Sequence, residues 1–479
     1  MHERIATLSG SLADMKAGLS GDADRFELRL DALWKTGEES HIADDLLALT
    51  ETDKPLLATL RPKRQGGAFD GPEELRLNLL AAAARAGCGQ IDLEADLPPQ
   101  AFQALRGEAD LLISDHSQPS APSRDHGLRD LQAMQDRVTV RQKLAYPCGS
   151  FLDELRALEL AHAHAERRGD PAIAPMGASA AFRALLAIAG NQSTYGHGGV
   201  PAFSGQPGLA DIDAVWNHWG LRHDELGGRD GWYAVLGNPV QHSLSPRIHN
   251  AMLRHHGRTE RYGAMLVPDS IGAMRLLAGV ATRIGLRGAS ITMPLKAHAA
   301  TAFEGDAAVQ AIGAANCARF DQADAKPAAT NTDATALHRL LAGHDSVAVI
   351  GAGGAARAAI WAAQSHGADV QLVARPGPRT DATAQAFGIK ATWGQPVEAD
   401  AWVQATPLGM KGESSPVAPA EAKLAIELVY GEQPTDFENQ ATRLGADVVS
   451  GRQFLIEQAL DAYAFWTGRE ANREVMESA

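Results

Sequence analysis

The sequence predicts an α/β chain in two consecutive pieces, a closed eight-stranded (β/α)8 barrel followed by a second α/β unit. Three observations carry this. Eight short apolar runs alternate with helix-like stretches in the first half. Further on, VAVIGAGGAARAAIWAA (347–363) runs an apolar strand through a glycine turn into an alanine-rich helix, the pattern of a Rossmann-type nucleotide-binding domain. Between the two, LRHDELGGRDG replaces apolar periodicity with glycine and charge, which puts a domain boundary near 228.

The eight runs, in order, are RIATLSG, RFELRLDAL, PLLATLRP, GQIDLEADL, DLLISDHS, RVTVRQKLAYP, PAIAPMGAS and the weaker STYGHGGVPAF. Helical intervals such as PEELRLNLLAAAARAG and GSFLDELRALELAHAHAERRG separate some of them. An open doubly wound sheet ranks second for this half, because no glycine-rich loop follows the first run. The expected domains are 1–228 for the barrel, 229–335 completed by 452–479 for a substrate-binding lobe, and 336–451 for the nucleotide-binding lobe.

Composition narrows the class. A chain of 479 residues exceeds one ordinary core, and 45% hydrophobic with 21% charged residues is a globular balance. A net charge of -14 argues against a broad nucleic-acid surface. Three scattered cysteines (Cys88, Cys148, Cys317) suit a reducing compartment. The start, MHERIATLSGSLADMK, has no apolar signal core, and no run is long enough to span a bilayer. A cytoplasmic protein with neither nucleic-acid nor membrane partners is therefore expected.

In VTVRQKLAYP, Val138, Val140 and Leu144 share one face while Arg141, Lys143 and Ala145 share the other. Either that second face meets water, or it lines a barrel and the lysine does chemistry. Strand ends supply the company that chemistry needs: Glu27, Arg29, Arg61 and His116, with Arg183 shortly after PMGAS. Lysine, histidine and arginines converging at a barrel mouth point to imine chemistry on an anionic keto substrate.

The series ELRLD, TLR followed by GG, ISDH, the lysine strand, PMG and SGQ resembles type I 3-dehydroquinate dehydratase over residues 4 to 225. The resemblance implies that Lys143 forms a Schiff base with the substrate ketone and that His116 moves the proton. It assigns Glu27, Arg29, Arg61, Gln65, Met176, Arg183 and Gln206 to substrate contact. Gln65 stands where the family has glutamate, and Ala202 where it has serine. A carboxylate at 65 would orient His116 and favour its protonated form, whereas an amide can only orient it.

In the second half, the glycine turn lets backbone approach a pyrophosphate, and the following helix presents oriented N–H groups to it. The next strand, ADVQLVAR, ends near Arg375, with Arg379 four residues on. Basic residues there suit the 2′-phosphate of NADP, where an acidic one would hold the hydroxyl of NAD; two solvated arginines are the other reading.

LGNPVQHSLSPRIHN, ASITMPLK, IGAANC, TNTDA, the glycine turn, ATPLGM and GRQFLIEQALDAYAFWTG follow in an order that resembles shikimate dehydrogenase over residues 232 to 479. The resemblance implies a Lys296–Asp333 pair as proton donor for ketone reduction. Ser243, Ser245, Thr292, Asn316, Tyr430 and Gln458 would contact substrate, and helix capping is the structural alternative for the two serines. Gly351, Gly353, Gly354, Ala355, Arg375, Arg379, Thr406 and Gly451 would hold NADP. Ser290, Ala334 and Gln404 depart from the family pattern.

Together these imply a two-step enzyme. It would dehydrate 3-dehydroquinate to 3-dehydroshikimate and reduce that product to shikimate with NADPH. The alternatives are a shikimate or quinate dehydrogenase carrying a weak or silent barrel, and a ligand-sensing regulator without turnover.

Overall fold

The structure is a computed structural model that describes residues 2–34, 39–137, 141–165, 171–227, 230–321, 325–409, 422–431 and 433–479. The chain folds as two compact units, the first mainly Met1–Trp232 and the second mainly Leu286–Ala479 with Tyr233–Arg258 and Leu266–Thr282.

All eight apolar runs form strands. They are β1 (Glu3–Leu8), β2 (Arg25–Arg29), β3 (Leu56–Thr59), β4 (Gln90–Glu94), β5 (Asp110–Asp115), β6 (Arg141–Pro147), β7 (Ala172–Met176) and β8 (Ser193–His197). They lie in the spatial order β7-β6-β5-β4-β3-β2-β1-β8, with every registered pair parallel, such as Thr7 opposite Glu27 and Ser114 opposite Lys143. The first and last strands of that order lie side by side, so the sheet is a nearly closed barrel. Val138 and Val140 lie outside the described residues. From Gln142 to Tyr146 every residue of β6 is buried. A barrel strand is sealed by helices outside and by packed side chains inside, so the face that carries Lys143 does not meet water. Trp216 is buried within this unit, its indole N–H donating to the Ala184 carbonyl at 3.1 Å.

Beyond the barrel the chain forms a mixed sheet and a parallel one. The mixed sheet comprises β9 (Trp232–Gly237), β10 (Arg261–Leu266), β11 (Leu286–Ile291), β12 (Glu304–Gly305), β13 (Cys317–Arg319) and β14 (Ala328–Thr330), ordered β10-β9-β11-β13-β14-β12. The parallel sheet comprises β15 (Ser346–Ile350), β16 (Asp369–Val373), β17 (Ala391–Thr392), β18 (Ala401–Gln404), β19 (Leu424–Glu427) and β20 (Asp447–Val449), ordered β17-β16-β15-β18-β19-β20. That order reverses direction between β15 and β18, which opens the crevice where doubly wound folds bind ligands. Ala358, Ala359, Ala362 and Ala363 of the helix Gly354–Ser365 pack into the core with Val347, Val349 and Val403. Small side chains there bring the helix, and hence its amino end, close to the sheet.

Among the described residues no helix is long and apolar enough to cross a membrane, and no cluster of three metal-liganding side chains occurs.

Candidate active sites

Lys143 points into the barrel interior. Its ammonium lies 3.3 Å from Glu27 Oε1 and 3.9 Å from Asp92 Oδ2, and it sits 3.9 Å from the centre of the Tyr195 ring. Burial lowers the lysine below its ordinary pKa, although Glu27 and Asp92 act in the opposite sense. Glu27 is buried as well, which alone would raise it. The charges of Lys143 and Arg29, with a hydrogen bond from Thr7, hold it instead at about 2. The site therefore pairs a stable carboxylate with an amine made easier to deprotonate, and a neutral amine is the nucleophile that imine formation requires.

Arg61 anchors the neighbouring strands. Its guanidinium donates to Asp92 Oδ2 at 2.5 Å, Glu94 Oε1 at 2.8 Å and Ser114 Oγ at 2.7 Å. Arg76 closes the network on Glu94 at 2.7 Å. Arg29 forms a two-pronged pair with Asp31 at 2.9 and 2.8 Å. Sequence reasoning missed Asp92, Glu94 and Tyr195. The signal for the first two was present, because acids two apart on β4 share one strand face.

His116 follows β5, half-buried, and burial together with the positive charges of Arg61, Lys143 and Arg29 holds it well below its ordinary pKa. Its ring Nδ1 is sealed from solvent without a hydrogen-bond partner among the described residues. Gln65, which ends a one-turn helix after β3, reaches the histidine's main chain: its Oε1 accepts the His116 N–H at 2.7 Å. Met176 ends β7, half-buried. Arg183 lies in the helix Ala180–Ile188, and its terminal nitrogens donate to the carbonyls of Tyr195 at 2.8 Å and Pro175 at 2.9 Å. Gln206 Oε1 accepts the Ala202 N–H at 2.8 Å, which folds the loop after β8 onto itself.

In the second unit Lys296 Nζ donates to Asp333 Oδ2 at 2.6 Å, with the carboxylate nearly buried and the ammonium partly open. Lys296 opens the helix Lys296–Ala302, and Asp333 lies in the first turn of the helix Thr332–Leu340, capped by Asn331. Asn316 is tied to Thr332 by two hydrogen bonds of 2.6 and 3.0 Å, and Thr332 Oγ1 donates to Gln458 Oε1 at 3.3 Å. Asn316, Gln458 and the Lys296–Asp333 pair are thus linked through one helix start. The helix Ser245–His255 begins after Leu244 with no side-chain cap, so capping does not explain Ser245. Ser243 Oγ accepts the Ser245 N–H at 3.3 Å, and both serines are buried. Thr292 and Tyr430 are half-buried.

The glycine turn fits a dinucleotide. Gly351 has φ +112°, and a Cβ there would stand 3.0 Å from the Ala405 carbonyl oxygen, so only glycine serves. At Gly353 the space a Cβ would fill is open, and no side chain caps the helix that starts at Gly354, which leaves its first N–H groups for a phosphate. Gly354 faces Lys296: a Cβ there would lie 3.6 Å from the lysine's Cβ and Cδ. This brings the glycine turn against the Lys296 side chain. Ala355 is half-buried in the same turn, while Arg375 and Arg379 stand exposed after β16. Thr406 is held by Gln404, whose Oε1 accepts the threonine hydroxyl at 3.0 Å. Gly451 packs so tightly on Val429 that a Cβ would meet its carbonyl oxygen at 1.7 Å.

Family models match along the chain: type I 3-dehydroquinase over residues 4–221, the shikimate dehydrogenase substrate binding domain over 235–318, and the shikimate 5′-dehydrogenase C-terminal domain over 451–479. The shikimate dehydrogenase (NADP(+)) of Natronomonas pharaonis is 33% identical over 263 residues, covering 52% of this chain and 97% of that protein. The chloroplastic bifunctional 3-dehydroquinate dehydratase/shikimate dehydrogenase of Arabidopsis thaliana is 26% identical over 497 residues, covering 95% of this chain and 79% of that one. Among solved structures, shikimate 5-dehydrogenase from Thermus thermophilus in complex with NADP(H) and shikimate is 32% identical, with TM-score 0.47, over 52% of this chain and 97% of that one.

Proposed function

The chain belongs to the shikimate dehydrogenase family and carries a type I 3-dehydroquinase domain ahead of it, and from that premise we propose how its residues divide two consecutive reactions. The protein is a bifunctional lyase and NADP-dependent oxidoreductase. It dehydrates 3-dehydroquinate and reduces the resulting 3-dehydroshikimate to shikimate. One observation carries the division of labour: each half sets one lysine against a carboxylate that is itself buried, Lys143 on Glu27 and Lys296 on Asp333.

In the barrel, the Lys143 amine adds to the substrate ketone and water leaves, which forms an imine. Protonated, the imine draws electrons from the adjacent C–H bond. His116 takes that proton and returns it to the departing hydroxyl, which leaves as water. Arg29 and Arg61 supply positive charge at the mouth, Met176 an apolar wall, and Arg183, Gln65 and Gln206 shape the floor and loop. Hydrolysis of the imine frees Lys143.

In the second unit, bound NADPH supplies a hydride to the ketone carbon. Lys296 gives its proton to the oxygen as negative charge develops there, and Asp333 keeps the ammonium charged and aimed. Ser243 and Ser245 hold the substrate carboxylate. Thr292, Asn316, Tyr430 and Gln458 take the ring hydroxyls, and shikimate is the preferred ring over quinate. Gly351, Gly353, Gly354 and Ala355 cradle the pyrophosphate, Arg375 and Arg379 hold the 2′-phosphate, and Thr406 and Gly451 flank the rest of the cofactor. A cytoplasmic setting suits three cysteines that are all unpaired.

Two absorbance measurements test this. Adding 3-dehydroquinate raises the enone band of 3-dehydroshikimate, and adding NADPH afterwards consumes the cofactor. NADPH consumption with added 3-dehydroshikimate but no enone from 3-dehydroquinate would leave only a dehydrogenase on a silent barrel. No change in either would favour a ligand sensor.

A further inference from the structure

Two buried carboxylates outside both catalytic sets meet at the end of the parallel sheet. Glu427 is the last residue of β19 and fully buried. Its Oε1 accepts the Val429 N–H at 3.0 Å and its Oε2 accepts the Thr435 hydroxyl at 2.7 Å. Thr435 caps the helix Asp436–Arg443, and its own N–H donates to Glu438 Oε2 at 2.6 Å. The other oxygen of Glu438 accepts the N–H of Gly451 at 3.2 Å. Gly451 opens the long helix Gly451–Thr467, which carries Gln458 to Thr332, the residue before Asp333.

Helix capping explains the reciprocal bonds between Thr435 and Glu438. It does not explain the second oxygen of Glu438 on Gly451, nor a second buried acid at Glu427. Burying two carboxylates side by side is costly unless their oxygens are hydrogen-bonded, and here four backbone or hydroxyl donors give one bond to each of the four oxygens. What they hold together is the Val429–Tyr430 peptide, pressed onto Gly451 at a distance that excludes any Cβ.

We propose that Glu427 and Glu438, clasped around Thr435, are positioning residues for the reduction: they lock the Val429–Tyr430 backbone against Gly451 and so place Tyr430 on the substrate and Gly451 on the cofactor. The proposal rests on the reading of Tyr430 and Gly451 as substrate and cofactor contacts. Burial, reinforced by the charge of Glu438 on the neighbouring helix and opposed by the bonds from Val429 and Thr435, pushes Glu427 up to about 7. A carboxyl so raised gains a proton near neutrality, and one of its acceptor oxygens then becomes a hydroxyl that must itself find an acceptor.

The test uses the full chain with Glu427→Gln, Thr435→Val and Thr435→Ser. Shikimate oxidation is followed across the neutral pH range, and dehydratase turnover of the same sample reports that the chain is intact. Glu427→Gln and Thr435→Val are expected to raise KM for shikimate and NADP about tenfold, with kcat falling less. Glu427→Gln also removes the pH dependence of KM near neutrality, and Thr435→Ser restores wild-type values. Unchanged KM and pH profile in Glu427→Gln, or a drop in melting temperature alone, would overturn the clasp. If Glu427→Gln fails to fold, Thr435→Val decides in the same way. A wild-type chain that does not oxidise shikimate would instead overturn the underlying reading.

Discussion

Gln65 holds His116 by the main chain and not by the ring: its carbonyl oxygen takes the His116 N–H at 2.7 Å, and Nδ1 of the imidazole is left without a partner among the described residues. Burial and the positive charges of Arg61, Lys143 and Arg29 instead keep the imidazole in its neutral form into mildly acid solution. In Gln65→Glu, a carboxylate would favour the imidazolium and raise its pKa. The acid limb of dehydratase kcat/KM should then move to higher pH by about one unit. A pH–rate profile checks this, and superimposable limbs would refute it.

Glu27 ties acid stability to the barrel site. Burial works to raise it, yet Lys143, Arg29 and Thr7 hold it at about 2, below the 4.5 of an unfolded chain. A depressed carboxylate contributes stability that is present above the unfolded value and lost as pH falls through the folded one. That window runs from 4.5 down to about 2. The contribution is on the order of 3 kcal/mol. Denaturant titrations at stepped pH should show a shallower acid loss in Glu27→Gln than in wild type; equal slopes would count against the assignment.

Lys296→Met and Asp333→Asn should each lower shikimate oxidation by roughly 10²- to 10⁴-fold, because proton transfer at the oxygen is lost or misaimed. Dehydratase turnover in the same preparations should hold. Stopped-flow NADPH formation reads the first, and the enone band reads the second.

Arg375 and Arg379 stand exposed beyond β16, where a 2′-phosphate would lie. Replacing both with alanine should raise KM for NADP by about 10- to 100-fold and leave turnover with NAD nearly unchanged, since only the charge-assisted bonds to phosphate are removed. Paired kinetics with the two cofactors report the ratio.

The fold was largely legible because every barrel strand except β2, which runs straight into a helix, is followed closely by glycine or proline, and the glycine turn has strand and helix on its flanks. The face of β6 was harder. Alternation alone cannot tell a solvated face from a barrel interior, because both show one lysine opposite apolar residues. Asp92 and Glu94 could have been found by their i, i+2 spacing. The contact from Gln65 to the His116 backbone could not. It depends on the one-turn helix Lys63–Gln65 closed by Gly66 at φ +78°, a tertiary placement that residue identity does not encode. Capping, the alternative reading of Ser243 and Ser245, does not apply to Ser245 because the helix starts there. The clasp around Thr435 was invisible for the same reason: three separate elements supply its atoms.

The most direct test of the account is mass measurement after borohydride reduction of the protein mixed with 3-dehydroquinate. A buried amine that forms an imine will be trapped as one covalent adduct on the peptide containing Lys143, absent in Lys143→Ala. Enone formation at full rate without any adduct, or with the adduct on another lysine, would contradict it.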